Sequence, residues 1–519
     1  MRAAILVALT ALLLGSAQAA LLPADVPYVI ITRDDLAAAF EPLASFKTGV
    51  DLPTRVVTLE WIATQVAPGF DEPATIRAFL QEAWSAWGTR YVLLGGTTDI
   101  VPTRWITNTF YPTNGSTLIP ADIYYAALDG NWDGDGDGVL CEPWLNAENP
   151  GDGADLAPEL ALGRAPVATT AEAVLFVMKN LDFQVQSGPE TAARALLEAE
   201  VIFPYGYGSG EDYIILDGAI HAEVLRSTLE GATPAWQTVR YYEYRDGRPG
   251  ALAPTAAAVI GAMNTGGFRL VNLYFPTFGQ NLSFGPDLVP YSVLSDLTNE
   301  RPFFLGFSGL GGEGVDLPIR MALNAPAGGC AGGIGFSRVA FPSTCTRYVE
   351  AFYRHATASR TATVGQAHAA TLNDLLANTH RNYAERWSHL TFTLLADPTA
   401  SLQPIDMTVA IEDDAPAEDA DPDTELPSPR VALTASPNPF NPQVDIRADL
   451  PIAGQARLYV CDLRGGLVRN LHTGPLPAGE SRWRWTGQDD AGRAVASGVY
   501  LLRLETDRRV VQHRVTLAR

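Results

Sequence analysis

The sequence predicts an α/β protein: two consecutive subdomains with mostly parallel sheets, followed by a small all-β sandwich. Three observations carry this. As far as Leu402, apolar β-branched runs alternate with apolar residues at helical spacing. A stretch dense in Asp, Glu and Pro then breaks the pattern. Beyond it, short alternating runs are separated by Gly-rich turns. The expected boundaries are a leader at 1–19, subdomains at 20–190 and 191–405, a linker at 406–429 and the sandwich at 430–519.

The leader has Arg2 as its positive residue, an apolar run from Ala3 to Leu14 and a small-residue cleavage site at Ala17-Gln-Ala19. Export is therefore expected. No segment approaches the ~20 apolar residues of a membrane-spanning helix. Tyr28-Val-Ile-Ile-Thr32 reads as a strand, with Asp34 as N-cap of a helix carrying Leu36, Phe40, Leu43 and Phe46. Arg55–Leu59 and Arg90–Leu94 are further strands, the latter ending at Gly95-Gly96. Between them Asp71 opens a helix whose stripe is Ile76, Phe79, Leu80, Ala83, Trp84 and Trp87. Such alternation gives a parallel sheet with right-handed crossovers.

From Ala121 the character changes. Asp129, Asn131, Asp133, Asp135 and Asp137 place an oxygen-bearing side chain at every second position, separated mostly by Gly. Carboxylates so crowded repel one another, and a hard cation removes the repulsion. Ca2+ takes about six to eight oxygens in flexible geometry. Counted from Asn131, Gly136 is the sixth residue and Glu142 the twelfth, as in an EF-hand loop, although no flanking helix pair is evident. Bound calcium is the expectation, and a solvated acidic turn is the alternative.

Next come a strand within Leu160–Val167 and a helix from Thr169, which has capping-box spacing with Glu172. The second subdomain is expected to hold a strand at Asp212–Leu216, a helix around Ile220–Leu229, a strand at Gln237–Tyr242 and a helix at Pro254–Met263. Its centre is Gly266–Gly312, with buried strands at Phe268–Tyr274 and Phe303–Phe307. In open α/β sheets ligands gather past the carboxyl ends of such strands. A strand at Gly332–Phe336, helices at Arg347–His355 and Val364–Leu376, and Thr391–Leu395 complete it. The sandwich strands are expected at Val444–Ala448, Gln455–Val460, Arg482–Trp485, Val499–Leu504 and Arg509–Val515.

Composition sets limits. A hydrophobic share of 47% supports a large core, and a net charge of −22 argues against nucleic acid or an anionic membrane as partner. The cysteines, Cys141, Cys330, Cys345 and Cys461, are too sparse for a disulfide scaffold. Cys330 and Cys345 would close a loop worth ~3 kcal/mol in the chain-entropy model, with free buried thiols as the other reading.

Several motifs stand in a telling order. They are Tyr28-Val-Ile-Ile-Thr, Phe46-Lys-Thr-Gly, Thr75-Ile-Arg-Ala-Phe-Leu, Tyr91-Val-Leu-Leu-Gly-Gly with Val101-Pro102, and Ala121-Asp-Ile-Tyr-Tyr. Pro158-Glu-Leu-Ala-Leu-Gly-Arg-Ala-Pro-Val, Val364-Gly-Gln-Ala and Ala396-Asp-Pro follow. Together, from Tyr28 to Leu402, they resemble the gingipain-type secreted cysteine peptidases, whose fold is caspase-like α/β. Ser436-Pro-Asn-Pro-Phe-Asn-Pro442, Asp462-Leu-Arg-Gly-Gly, Trp485-Thr-Gly-Gln-Asp and Ala496-Ser-Gly-Val-Tyr500 resemble other proteins. These are the Ig-like sorting modules of type IX secretion substrates, related to the Ig-like domain of the flagellar hook-capping protein. That resemblance implies secretion machinery as a partner, and a secreted or outer-surface location.

The peptidase resemblance implies a Cys nucleophile past one strand and a His past its neighbour, the thiolate attacking and the imidazole handling the proton. The family's His lies in an Asn-Tyr-x-Gly-His-Gly-like turn. The matching segment, Asn272–Gly279, has Pro276 and Thr277 there and no His. The family's Cys ends a strand in an Ala-Cys-x-x-Gly-like turn, where this chain has Ser308 or Gly309. Cys330 sits in a Gly-rich run that reads as a packed strand start. Three functions follow. The first is a non-catalytic homologue that binds peptide or protein at the old cleft. The second is an active peptidase using Cys330 or Ser308 with a distant His355 or His380. The third is a structural cell-surface protein.

Overall fold

Two parallel sheets of different size organise the first unit of this computed structural model. Described residues are 25–107, 118–143, 151–185, 193–203, 214, 216–275, 280–308, 316–379 and 382–403. From 432 to 517 all are described except 437–439, 441, 451–453, 462–465, 478, 496–497 and 507–509. The chain divides into units Met1–Glu412 and Asp413–Arg519.

The first sheet and its helices run β1 (Tyr28–Thr32), α1 (Asp34–Thr48), β2 (Thr54–Thr58), α2 (Leu59–Gln65), α3 (Glu72–Trp87) and β3 (Tyr91–Gly95). The hairpin of β4 (Trp105–Thr107) and β5 (Leu118–Pro120), then β6 (Ala161–Ala165) and α4 (Thr170–Val185), follow. The strand order is β2-β1-β3-β6, all parallel. Asp71 is the N-cap expected, its carboxylate accepting from the Ala74 N–H. Asp34 is not a cap: Arg33 holds that position, and Asp34 and Asp35 lie in the first turn, where their charge favours the positive helix end.

The second sheet is built from β7 (Arg194–Ala199), the short pair β8 (Val201–Phe203) and β9 (Leu216–Asp217), α5 (Gly218–Glu230), β10 (Gln237–Tyr242), α6 (Ala256–Thr265) and β11 (Leu270–Tyr274). The hairpin β12 (Asn281–Phe284) and β13 (Asp287–Pro290), then β14 (Phe303–Phe307), α7 (Asp316–Leu323) and β15 (Cys330–Phe336) follow. It closes with α8 (Pro342–Ala356), α9 (Val364–Leu375), α10 (Tyr383–Thr391) and β16 (Phe392–Leu395). The order is β10-β7-β11-β14-β15-β16, and only β16 is antiparallel to its neighbour. The strand expected at Asp212–Leu216 falls mostly on residues outside those described. Of its two described residues, Ile214 and Leu216, the second lies in β9, and β7 takes the place between β10 and β11. The interior of this unit forms one hydrophobic cluster from Tyr28 to Leu402.

Buried polar ties join the two sheets. Asp397, just past β16, accepts from the Tyr28 hydroxyl (2.8 Å) and from Gln184 (2.9 Å), and pairs with Lys47 at 3.2 Å. Thus β1, α1 and α4 meet the end of the second sheet at one carboxylate. Lys179 of α4 donates to the carbonyls of Ala322, Leu323 and Ala325, capping the end of α7. No helix among the described residues is long and apolar enough to cross a membrane.

The second unit contains β17 (Ala432–Ser436), β18 (Val444–Leu450), β19 (Gly454–Cys461), β20 (Leu467–Leu476), β21 (Gly479–Trp485), β22 (Gly498–Thr506) and β23 (Val510–Leu517). They form antiparallel sheets of order β17-β18-β21 and β20-β19-β22-β23. Its own core packs Phe440, Trp485 and Tyr500 with Leu458, Leu502 and Val515, as expected of a small sandwich.

Candidate functional site

Strands β11 and β14 are parallel neighbours, with Leu270 opposite Phe304 and Leu273 opposite Phe307. Their carboxyl ends therefore lie side by side, which is where an open sheet places ligands. Pro276, Thr277 and Gly309 fall outside the described residues. Ser308 is described, and it is buried. Its N–H donates to the Leu273 carbonyl (2.9 Å), continuing the ladder by one residue.

The Ser308 hydroxyl faces an amide rather than a base. Asn272 Nδ2 donates to its oxygen at 2.9 Å, and the hydroxyl lies 3.1 Å from Asn272 Oδ1. The Tyr353 hydroxyl donates to the same Oδ1 (3.0 Å). Gly306 makes room for this cluster: a Cβ there would meet the Tyr353 hydroxyl at 2.0 Å and Asn272 Oδ1 at 2.5 Å.

Beside the cluster, between α5 and α8, is a cavity of about 10 Å3, room for one water. His221, Tyr274 and Glu350 share its wall with Asn272 and Ser308. His221 Nδ1 lies 2.9 Å from Glu350 Oε1, so a carboxylate holds the ring. Sequence reasoning missed His221. It stands on α5 beside the buried positions Ala222 and Leu225, and only the helix packing brings it to a strand end far along the chain.

The thiols are poor nucleophiles. Cys345 Sγ sits 3.5 Å from the Ser308 carbonyl, and burial pushes its thiol up to about 12. Cys330 opens β15 opposite Phe303, the first residue of β14, so it lies at the amino edge of the sheet, away from Ser308. Burial pushes it up to about 12 as well. Both are free, so the Cys330–Cys345 bridge does not form; the alternative reading of free buried thiols is the observed one. His355 bonds to Asp374 at the far end of α8 (2.7 Å), and His380 lies outside the described residues.

Two carboxyls missed by sequence reasoning lie on the neighbouring strand end. Glu198, on β7 opposite Leu273, is fully buried, and among the described residues no side chain pairs with its oxygens, leaving only the Tyr274 backbone to favour its charged form. Burial, then Glu200, raises it well above the carboxylate range. Glu200 accepts from the Gly285 N–H of the β12–β13 hairpin, and burial outweighs that bond to lift it to about 8. The available signal was two Glu in the apolar run Ala193–Ile202.

In the acidic loop, one carboxylate oxygen each of Asp133, Asp135 and Asp137 lies within 4.8 Å of the other two. Gly136, with φ +77°, supplies the left-handed turn between them. Asn131 Oδ1 accepts from the Asp133 N–H (3.1 Å) and so shapes the loop locally. Asp152 fastens it from outside, accepting from the N–H groups of Gly134 and Glu142 (2.7 Å each). Burial, then Asp137, Asp152 and Asp135, push the Glu142 carboxyl up. Asp129 stands apart, grouped with Asp155 and Glu159. The donor set of Asp133, Asp135 and Asp137 is all oxygen and fits a hard cation.

Residues 22–403 match the family profile of peptidase family C25. The chain belongs to that family. Three solved structures share the fold. The Arg-specific cysteine proteinase gingipain R aligns over 95% of this chain and 98% of its own, at 16% identity and TM-score 0.55. The complex of Porphyromonas gingivalis RgpB pro- and mature domains gives 95%, 100%, 16% and 0.55 on the same measures. A structure described as a protease gives 94%, 96%, 12% and 0.52. At such identities the likeness extends to the fold alone. Residues 443–509 match the FlgD Ig-like domain. No curated protein sequence matches this chain.

Proposed function

We propose that this C25 family member is exported and binds a peptide or protein segment at the carboxyl edge of its larger sheet without cleaving it. One observation carries the reading: the described hydroxyl at the end of β14 is bonded to the Asn272 amide, not to an imidazole. A serine hydroxyl depends on an adjacent base to attack a carbonyl. The buried protonated thiols of Cys330 and Cys345 support it further. The purified chain, incubated with casein and with a peptide library, is expected to release no fragments above the rate of a heat-treated control. Hydrolysis blocked by a thiol or serine reagent would overturn the reading.

One observation favours an active enzyme instead. His221, oriented by Glu350, lines the same cavity as Ser308. In that case Ser308→Ala and His221→Ala would each abolish measurable proteolysis.

We also propose that Asp133, Asp135 and Asp137, with Asn131 and Glu142 beside them, hold Ca2+, while Asp129 belongs to the neighbouring carboxylate group. The cation would neutralise the loop; it has no place in a chemical step. Export rests on the leader-like residues 1–19 and on the FlgD Ig-like module, which is the part offered to secretion machinery.

A further inference from the structure

One stretch of surface beside the candidate cleft combines exposed apolar side chains with an arginine that no carboxylate among the described residues neutralises. Gly306 of β14 pairs with Ile334 of β15, so Phe336 and Ser337 leave the sheet level with Ser308. The segment that follows is fixed at several points. The Ser337 N–H donates to the Thr391 carbonyl (2.7 Å), and Trp387 Nε1 donates to the Val339 carbonyl (2.7 Å). Arg338 Nε donates to the Leu118 carbonyl (3.2 Å) and Nη1 to the Ser337 carbonyl (3.0 Å).

Arg338 thereby lies against the β4–β5 hairpin, its guanidinium 5.6 Å from the centre of the Trp105 ring. In that hairpin Trp105 pairs with Pro120 and Thr107 with Leu118, so Trp105 and Leu118 are diagonal neighbours on one face. Both are exposed, at 43% and 44%, and Val339, next to Arg338 in the chain, is 48% exposed. Among the described residues no carboxylate pairs with Arg338. This is so in a chain with 58 acidic against 36 basic side chains. Partial burial strips water from the guanidinium, which sharpens its demand for an anion. Trp and Arg in one rigid patch are the residue types that dominate binding energy at interfaces.

We propose that this face docks a peptide segment carrying a carboxylate side chain between apolar ones. The carboxylate meets Arg338, and the apolar side chains lie on Trp105, Leu118 and Val339. The inference deepens the peptide-binding reading of the cleft by naming the chemistry of its occupant, and it rests on that reading. Charge complementarity selects this occupant: a neutral or basic segment would leave Arg338 unpaired.

The test is fluorescence anisotropy of the full chain with dye-labelled pentapeptides Ala-Leu-Glu-Leu-Ala, Ala-Leu-Gln-Leu-Ala and Ala-Leu-Lys-Leu-Ala. The Glu peptide is expected to bind at least tenfold more tightly than the other two. Arg338→Gln should erase that preference while the chain keeps a cooperative melt, and Trp105→Ala should weaken all three. Equal binding, no binding, or a Glu preference that survives Arg338→Gln would overturn the inference. Cleavage of the peptides with the preference intact would sink the non-catalytic reading and leave this one standing. Uncleaved peptides with no preference would do the reverse.

Discussion

The hydrogen-bond group of Ser308, Asn272 and Tyr353 decides what the strand ends can do. Asn272 offers both a donor and an acceptor, and both are engaged on buried hydroxyls. Ser308→Ala leaves the buried Asn272 amide short of a partner, at about 1–3 kcal/mol. We expect that loss in urea denaturation. Glu200 gives a pH signature. Its folded carboxyl titrates near 8, above an unfolded one near the usual range, so the folded state holds the proton longer. Its contribution is full at acid pH, declines as pH rises from about 4.3 towards 8, and is flat beyond. Stability of Glu200→Gln measured across that window should fall less steeply than that of the parent chain. At this scale His221 was not legible as a site residue, because only the packing of α5 brings it to a strand end. Glu200 directly follows β7, and its one signal was a second Glu in an apolar run.

Among elements, the strands legible beforehand were those whose composition announces them. Phe268–Tyr274 and Phe303–Phe307 are apolar, aromatic and bounded by Gly or Pro, and they became β11 and β14. β7 was missed because Arg-Ala-Leu-Leu-Glu-Ala is built from good helix formers. Tertiary context overrides that preference: flanked by β10 and β11, the segment completes two ladders at once. The ties between elements are buried and charged, which makes them sensitive to one-sided change. Lys47→Met would strand the Asp397 carboxylate in the interior, at about 3–5 kcal/mol. The double variant Lys47→Met/Asp397→Asn should recover part of that loss, as read by denaturant midpoints.

For the molecule as a whole, the order of motifs conveyed the architecture, since a parallel sheet with a repeated strand–helix rhythm has few ways to close. The loop from Asp129 to Glu142 was legible as acidic. Its division into two carboxylate groups was not, because Asp155 and Glu159 enter from beyond the loop. A cation held only by the folded chain stabilises by mass action, about 2.7 kcal/mol at a hundredfold excess over Kd. Calorimetry should therefore show a higher Tm with calcium and a lower one with chelator. An unchanged melt would remove the metal from the loop.

Lys47 and Lys179 are the chain's lysines, and both are buried in the links that hold α1 and α4 to the larger sheet. An amine-reactive dye added to the native protein would therefore find no lysine on the surface of the described residues. Once either link opens, a single tagged peptide identifies which one. Slow acylation followed by mass spectrometry becomes a clock for separation of the two sheets, with the chain serving as its own reporter.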